Sequence, residues 1–270
     1  MHDGRMSERE LLHGGVGNAG LVWRQGDAVS RPAGPHVETI HALLRHLRAS
    51  GFDGVPEPLG IDDGPREWLT FIPGDVPYPP FPSWSLTDES LASVAALLRR
   101  FHDATEGFET PDGGSWNLEM SDGGTGDVIC HNDVCLENVV FRNGTAVALL
   151  DFDFAAPGSP WWDLASFARM CVPMDAPQDA VHMGKGSVDP FARLRVVADA
   201  YGLPPDRSPL VDRLQDQIEA GGWFVRRRVV AGDPAFTRMW NESGGERRYD
   251  RRREWFVRNR EHFLDALHHQ

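Results

Sequence analysis

Three side chains in the middle of the chain have the types and spacing to do chemistry together. The segment His131-Asn132-Asp133-Val134-Cys135-Leu136-Glu137-Asn138 sets a carboxylate five residues before an amide, and Asp151 ends an apolar run thirteen residues later. Residues 139–141 and 146–150 flank Asn143-Gly144, a pair that favours the positive-φ turn of a two-residue hairpin. That hairpin returns Asp151 to the side of Asn138. The result is one carboxylate able to act as a base and two hard oxygen ligands suited to magnesium, in one pocket. Singly, an Asp opening a loop and an Asn before a strand are ordinary turn and cap residues; their spacing with Asp151 gives them a joint role. Asp153 either touches a second metal ion or caps the turn that follows. Cys130, His131 and Cys135 lack a fourth ligand and the spacing of a zinc site, so they read as buried thiols around a histidine.

A second group lies near the start. Gly15, Gly17 and Gly20, in GVGNAGLV, fit the form GxGxxGxV, whose glycines let a backbone approach phosphates with no Cβ in the way. A flexible hairpin explains the same residues. The motif opens a strand pair rather than a βαβ unit, which argues against a dinucleotide-binding fold. Nucleotide phosphates also need a cation, and Lys185 is the chain's only lysine. Arg31, at the end of a short strand, is the positional candidate, with Glu38 on the next helix as its partner. A surface arginine before Pro32 is the competing reading.

Periodicity outlines the elements that must hold these groups. Residues 37–50 carry Ile40, Leu43, Leu44 and Leu47 on one helical face, with Gly51 as a stop. Residues 21–24 and 27–31 read as strands around Gln25-Gly26, and residues 68–72 as a strand ended by Pro73-Gly74. Five prolines from Pro73 to Pro82 exclude helix there and set a boundary near Gly74, between units 1–74 and 75–270. Beyond it, 86–102 reads as a helix capped by Thr87, followed by a strand at 128–130. Further helices are expected at 161–171, 189–201 with Gly202 as its cap, 209–231 and 247–267.

The combination resembles the aminoglycoside phosphotransferase and choline kinase-like family, whose catalytic loop has the form HxDxxxxN and whose metal aspartate follows a short hairpin. The resemblance implies an α+β, bilobal protein-kinase-like fold, with a small β-rich N-lobe that binds nucleotide and a larger, mainly helical C-lobe. It implies that Asp133 is the catalytic aspartate and that Asn138 and Asp151 hold Mg2+, with ATP or GTP as co-substrate. Gly15, Gly17, Gly20, Arg31 and Glu38 would serve the phosphates, and the backbone of Thr70, Phe71 and Ile72 the base. His131 would brace the loop, and Asp163, in WWDLA, would be architectural. The family usually has glycine where this chain has Asn132.

Only 11 residues separate Asp151 from Asp163, too few for the long segment on which protein kinases bind peptides, so a small-molecule acceptor is expected. Asp175, Asp179, Asp206, Asp212, Asp216 and Glu219 favour a cationic acceptor such as an aminoglycoside-like antibiotic. Choline-like, amino-alcohol, sugar and nucleoside acceptors also fit. The alternative is a kinase-like binding or immunity protein that sequesters an antibiotic or peptide, motivated by the missing lysine.

Composition sets the outer limits. With 270 residues, 41% of them hydrophobic, the chain can bury the core of one large domain or two unequal lobes. No stretch approaches the ~20 apolar residues of a membrane span, and MHDGRMSERELL lacks the blocks of a secretory signal. A cytoplasmic monomer or weak dimer with no membrane partner is expected. Three cysteines in a chain of this size read as free thiols. Residues 1–222 carry a net charge of -17, which repels nucleic acid and attracts cations.

Overall fold

Five short strands pair antiparallel in the order β1-β2-β3-β5-β4 and form the sheet of the first lobe. They are β1 (Arg9–Leu11), β2 (Trp23–Gln25), β3 (Ala28–Pro32), β4 (Pro58–Ile61) and β5 (Arg66–Thr70). The structure is a computed structural model that describes residues 9–12, 20–182 and 188–268. Gly15 and Gly17 therefore lie outside the described residues, while Gly20 sits in the turn before β2. Between β3 and β4, α1 (Val37–Ala49) buries Ile40, Leu43, Leu44 and Leu47, the face its periodicity marks. Each such side chain contributes about 1.5–3 kcal/mol on full burial. β1 and β4 escape sequence reading because they are short and expose Leu11, Leu59 and Ile61, leaving no alternation to see.

The proline-rich connection is fastened to the second lobe at Phe141 and Arg142, whose Nε donates to Pro73 O at 2.9 Å. Asp75 and Phe141 exchange two backbone hydrogen bonds of 2.8 Å. A Cβ on Gly74 would lie 2.5 Å from the Phe141 carbonyl oxygen, so only glycine allows this approach.

In the second lobe, α2 (Asp88–Ala104) starts where the Thr87 hydroxyl accepts the Ser90 N–H at 3.1 Å, the expected cap. After it, β6 (Val128–Cys130) leads into the loop of interest, then β7 (Val139–Arg142) and β8 (Thr145–Leu149) form the hairpin. Its turn residues Asn143 and Gly144 have φ of 52° and 76°, as the Asn-Gly signal requires. The hairpin is pinned to α2: Ser93 Oγ accepts the Ala146 N–H at 2.9 Å, and Ser90 Oγ lies 2.8 Å from Gly144 O. β9 (Ala156–Gly158) returns to pair with β6.

The rest is helical: α3 (Pro160–Cys171), α4 (Pro177–His182), α5 (Pro190–Tyr201), α6 (Ser208–Val230), α7 (Pro234–Glu242) and α8 (Gly245–His268). α2 packs on α5, α3 on α6, and α8 lies across α5 and α6. Sequence reading missed α4 and α7, both short, and α7 buries no residue. None of the three cysteines is in a disulfide. Among the described residues no helix is long and apolar enough to cross a membrane.

Candidate catalytic centre

The loop after β6 is shaped by one carboxylate from the next helix. Asp163, fully buried on α3, accepts the backbone N–H groups of His131 at 2.6 Å and Asn132 at 2.7 Å. It also meets His102 Nε2 at 2.9 Å, and His102 Nδ1 lies 2.6 Å from the Tyr201 hydroxyl. Burial alone would raise the Asp163 carboxyl, but the His102 hydrogen bond and the histidine charges hold it below its ordinary value. The aspartate that the resemblance makes architectural thus braces the loop from beneath. Asn132 has φ of 64°, a left-handed conformation that glycine adopts freely and asparagine tolerates best among other residues. Its amide donates to Phe154 O at 2.9 Å, tying the loop to the segment beyond Asp153.

The hairpin brings the three chemical side chains together as their spacing predicts. Leu150 N–H donates to Asn138 O at 2.8 Å, which sets Asp151 beside Asn138. Asn138 Nδ2 donates to Asp133 O at 2.9 Å and to Asp133 Oδ2 at 3.1 Å. With its nitrogen engaged, the amide presents Oδ1 to any cation. His131 Nδ1 accepts the Asp133 N–H at 3.4 Å, so Nε2 carries the proton and donates to Leu150 O at 2.9 Å. Burial lowers the His131 pKa and keeps the ring neutral, in keeping with a brace. Asp151 itself has φ of 61°, a strained conformation of the kind that persists where surrounding contacts over-determine it.

Arg31 enters this centre from β3. Its Nε binds Glu67 Oε1 at 2.7 Å, Nη1 binds Asp151 Oδ1 at 2.8 Å, and Nη2 binds Asp153 Oδ1 at 2.6 Å. The guanidinium is buried, which excludes the surface-arginine reading. The expected pairing with Glu38 is corrected: Glu38 is exposed on α1, and the partner is Glu67, directly opposite Arg31 in the β3–β5 register. Helix α1 contributes His41 instead, whose Nε2 lies 2.9 Å from Glu67 Oε2. Glu67 and His41 carry no local sequence signal beyond an acid inside a strand and a histidine on the apolar face of a helix.

Burial and the Asp151 charge push the Asp133 carboxyl up to about 7, and the same two causes push Asp153 up to about 6. Burial works against the Arg31 charge, but Asp151, Asp153 and Glu67 together hold the guanidinium above its ordinary value. Asn138, Asp151 and Asp153 are all oxygen donors, a set that fits a hard divalent cation. Thr70 N–H donates to Glu57 O at 2.9 Å and Phe71 N–H to Asp27 O at 2.8 Å, so both of these amides are engaged within the protein. Ile72 lies just past these bonds.

The acidic residues expected to attract a polycation are engaged elsewhere. Asp175 meets Arg248 at 3.2 Å, Asp179 meets Arg251 at 2.6 Å, and Asp216 meets Arg213 at 3.1 Å. Asp212 pairs with Arg260, Glu219 lies 3.9 Å from Arg253, and Asp206 accepts the Ser208 hydroxyl at 2.7 Å. Four of the six are matched by the arginines of α8, because that basic helix packs on the acidic side of α4 and α6.

Known proteins are similar to this chain. The model of the phosphotransferase enzyme family matches residues 124–196, which contain Asp133, Asn138, Asp151 and Asp163. The trifolitoxin immunity protein of Rhizobium leguminosarum bv. trifolii is 35% identical over 215 residues, 77% of this chain and 80% of that protein. Among solved structures, a choline/ethanolamine kinase family protein of Mesorhizobium loti matches with a TM-score of 0.65 and 16% identity, over 98% of this chain and 94% of that one. A spectinomycin phosphotransferase in complex with ADP and spectinomycin matches with a TM-score of 0.60 and 11% identity, over 98% and 94% of the two chains.

Proposed function

The chain belongs to the phosphotransferase enzyme family, with the protein-kinase-like fold of aminoglycoside phosphotransferases and choline kinases, and we propose that it phosphorylates a hydroxyl of a small molecule. The donor in this reading is ATP or GTP with Mg2+. One observation carries it: the bond from Leu150 to Asn138 gathers Asp133, Asn138 and Asp151 in one place, and Arg31 reaches the same place from the sheet.

In this reading the acceptor hydroxyl lies against Asp133, which takes its proton as the oxygen bonds to the γ-phosphorus. The bond to the β-phosphate oxygen breaks, and the nucleoside diphosphate leaves. Asn138 Oδ1 and Asp151, with Asp153 alongside, would hold Mg2+, which would supply positive charge to the phosphates. Arg31 turns from Asp151 and Asp153 toward the phosphates, where its planar fork makes paired hydrogen bonds. Gly15, Gly17 and Gly20 cover the phosphates, and the backbone near Ile72 receives the base. Units 1–74 and 75–270 carry nucleotide and acceptor respectively.

The likeness to an immunity protein supports an antibiotic or toxin as the acceptor. A second reading, sequestration without transfer, draws on the same likeness and on the three carboxylates that hold Arg31 in the unliganded state. A screen for nucleotide consumption over hydroxyl-bearing antibiotics, with Asp133→Ala as control, separates the two. Transfer that Asp133→Ala abolishes while nucleotide binding persists supports the kinase. If neither ATP nor GTP binds with magnesium in excess, the kinase reading fails.

A further inference from the structure

Arg169 of α3 is a buried cation in an unusual setting. It is 8% exposed, and among the described residues its side chain makes one hydrogen bond, from Nε to the neutral Gln217 Oε1 at a long 3.3 Å. Among the described residues no carboxylate pairs with it. Its buried neighbours add to the imbalance: Arg248 and Arg252 approach the same Asp175, at 3.2 and 3.7 Å. Arg252 also donates from Nη2 to the carbonyl of Arg169, at 2.7 Å. A buried guanidinium with no carboxylate in hydrogen-bond range is costly, and a ligand that supplied one would relieve that cost. Neither terminal nitrogen of Arg169 donates a hydrogen bond to a group among the described residues.

Helix α3 borders the catalytic loop. Ser166 Oγ donates to Asn132 O at 3.0 Å and Cys171 Sγ approaches Val134 O at 3.8 Å, so α3 runs beneath residues 132–134. Arg169 follows Ser166 by three residues and shares its side of the helix. On its other flank α6 comes close: a Cβ on Gly221 would sit 2.7 Å from Arg169 Nη1. Asp133 is the acid that acts most strongly on Arg169.

We propose that Arg169 receives a carboxylate of the acceptor, so that the molecule presented to Asp133 carries both a hydroxyl and a carboxylate. A guanidinium with two unengaged nitrogens matches a carboxylate by two parallel hydrogen bonds, which a polycationic aminoglycoside cannot offer. This assignment rests on the phosphotransfer reading of Asp133, and it replaces the cationic acceptor with an anionic one.

The test uses a matched pair, N-acetyl-L-serine and N-acetyl-L-serinamide, which differ in the carboxylate and share the hydroxyl. Binding is followed by ligand-observed NMR with and without Mg–ADP, on the full chain. The wild type is expected to prefer the carboxylate form by about tenfold or more. Arg169→Gln should abolish the preference and Arg169→Lys should cut it several-fold, both with Mg–ADP affinity retained. Equal binding of the two probes, binding of neither by the wild type, or a preference that survives Arg169→Gln overturns the proposal. Should Arg169→Gln fail to fold, an unchanged preference in Arg169→Lys overturns it equally. Failure of the wild type to bind Mg–ADP counts against the phosphotransfer reading instead, because the preference is measured without nucleotide too.

Discussion

Arg31 and Glu67 stand opposite each other in the β3–β5 register and close a 2.7 Å ion pair almost wholly out of water. The proposed phosphate-binding cation is therefore oriented by its own sheet. His41, 2.9 Å from the second oxygen of Glu67, extends that support to helix α1.

The first expectation follows from that support. Glu67→Gln keeps the shape but removes the charge that fixes the guanidinium while Asp151 and Asp153 still draw it. Affinity for Mg–ADP should fall by about tenfold, since an oriented charge-assisted pair is lost. Isothermal titration calorimetry reads this directly. An unchanged affinity would show that Arg31 is positioned without Glu67.

Asp163 offers a test of the loop's foundation. It accepts two backbone N–H groups and the His102 ring with no exposure to solvent. Asp163→Asn replaces one of those acceptor oxygens by a donor that faces another donor. Stability should drop by about 3–5 kcal/mol, as when one member of a buried ionic network is removed. Urea unfolding at unchanged m-value measures it, and a loss under about 1 kcal/mol would remove Asp163 from this role.

A pH effect follows from Asp133 in the metal-free protein. Its carboxyl is raised from 3.8 to about 7, chiefly by burial and then by Asp151. The neutral form is the one the native state favours, so the associated stability is full below 3.8 and is lost as pH rises through about 7. Asp133→Asn is free of that loss. Relative to wild type it should gain stability, on the order of a few kcal/mol, between about pH 4 and about pH 8. Chemical denaturation across that range is the measurement, and a difference that does not vary with pH contradicts the burial of Asp133.

What the sequence revealed and what it hid divide along one physical line. Asp133, Asn138 and Asp151 were legible because their geometry is local: five residues, then a hairpin whose Asn143-Gly144 turn names itself. The helix faces of α1 and α2 and the Thr87 cap were legible for the same reason. Glu67 was not, because the register that sets it against Arg31 joins residues 36 apart. Nor were the pairs between α8 and the acids of α4 and α6, where sequence shows two solvated charged faces and only packing shows that they meet. Periodicity tells which face of an element is apolar; it does not tell which two charged faces lie together.

The last expectation concerns metal and cation in competition. Arg31 bridges Asp151 at 2.8 Å and Asp153 at 2.6 Å, so the carboxylates proposed for magnesium already share a cation in the unliganded protein. Binding Mg2+ without nucleotide must break those pairs, with no phosphate to receive the displaced guanidinium. Arg31→Gln frees the carboxylates from this competitor and leaves two negative charges with one cation fewer between them. Mg2+ alone should then bind more tightly, by about tenfold, while affinity for the magnesium–nucleotide complex falls by a similar factor because a phosphate partner is lost. Arg31→Lys keeps the charge but not the fork that spans both carboxylates, so it should fall between wild type and Arg31→Gln in both measurements. Calorimetric titrations with Mg2+ alone and with Mg–ADP read the two changes separately. Changes of the same sign in both titrations would show that Arg31 does not pass between carboxylates and phosphates.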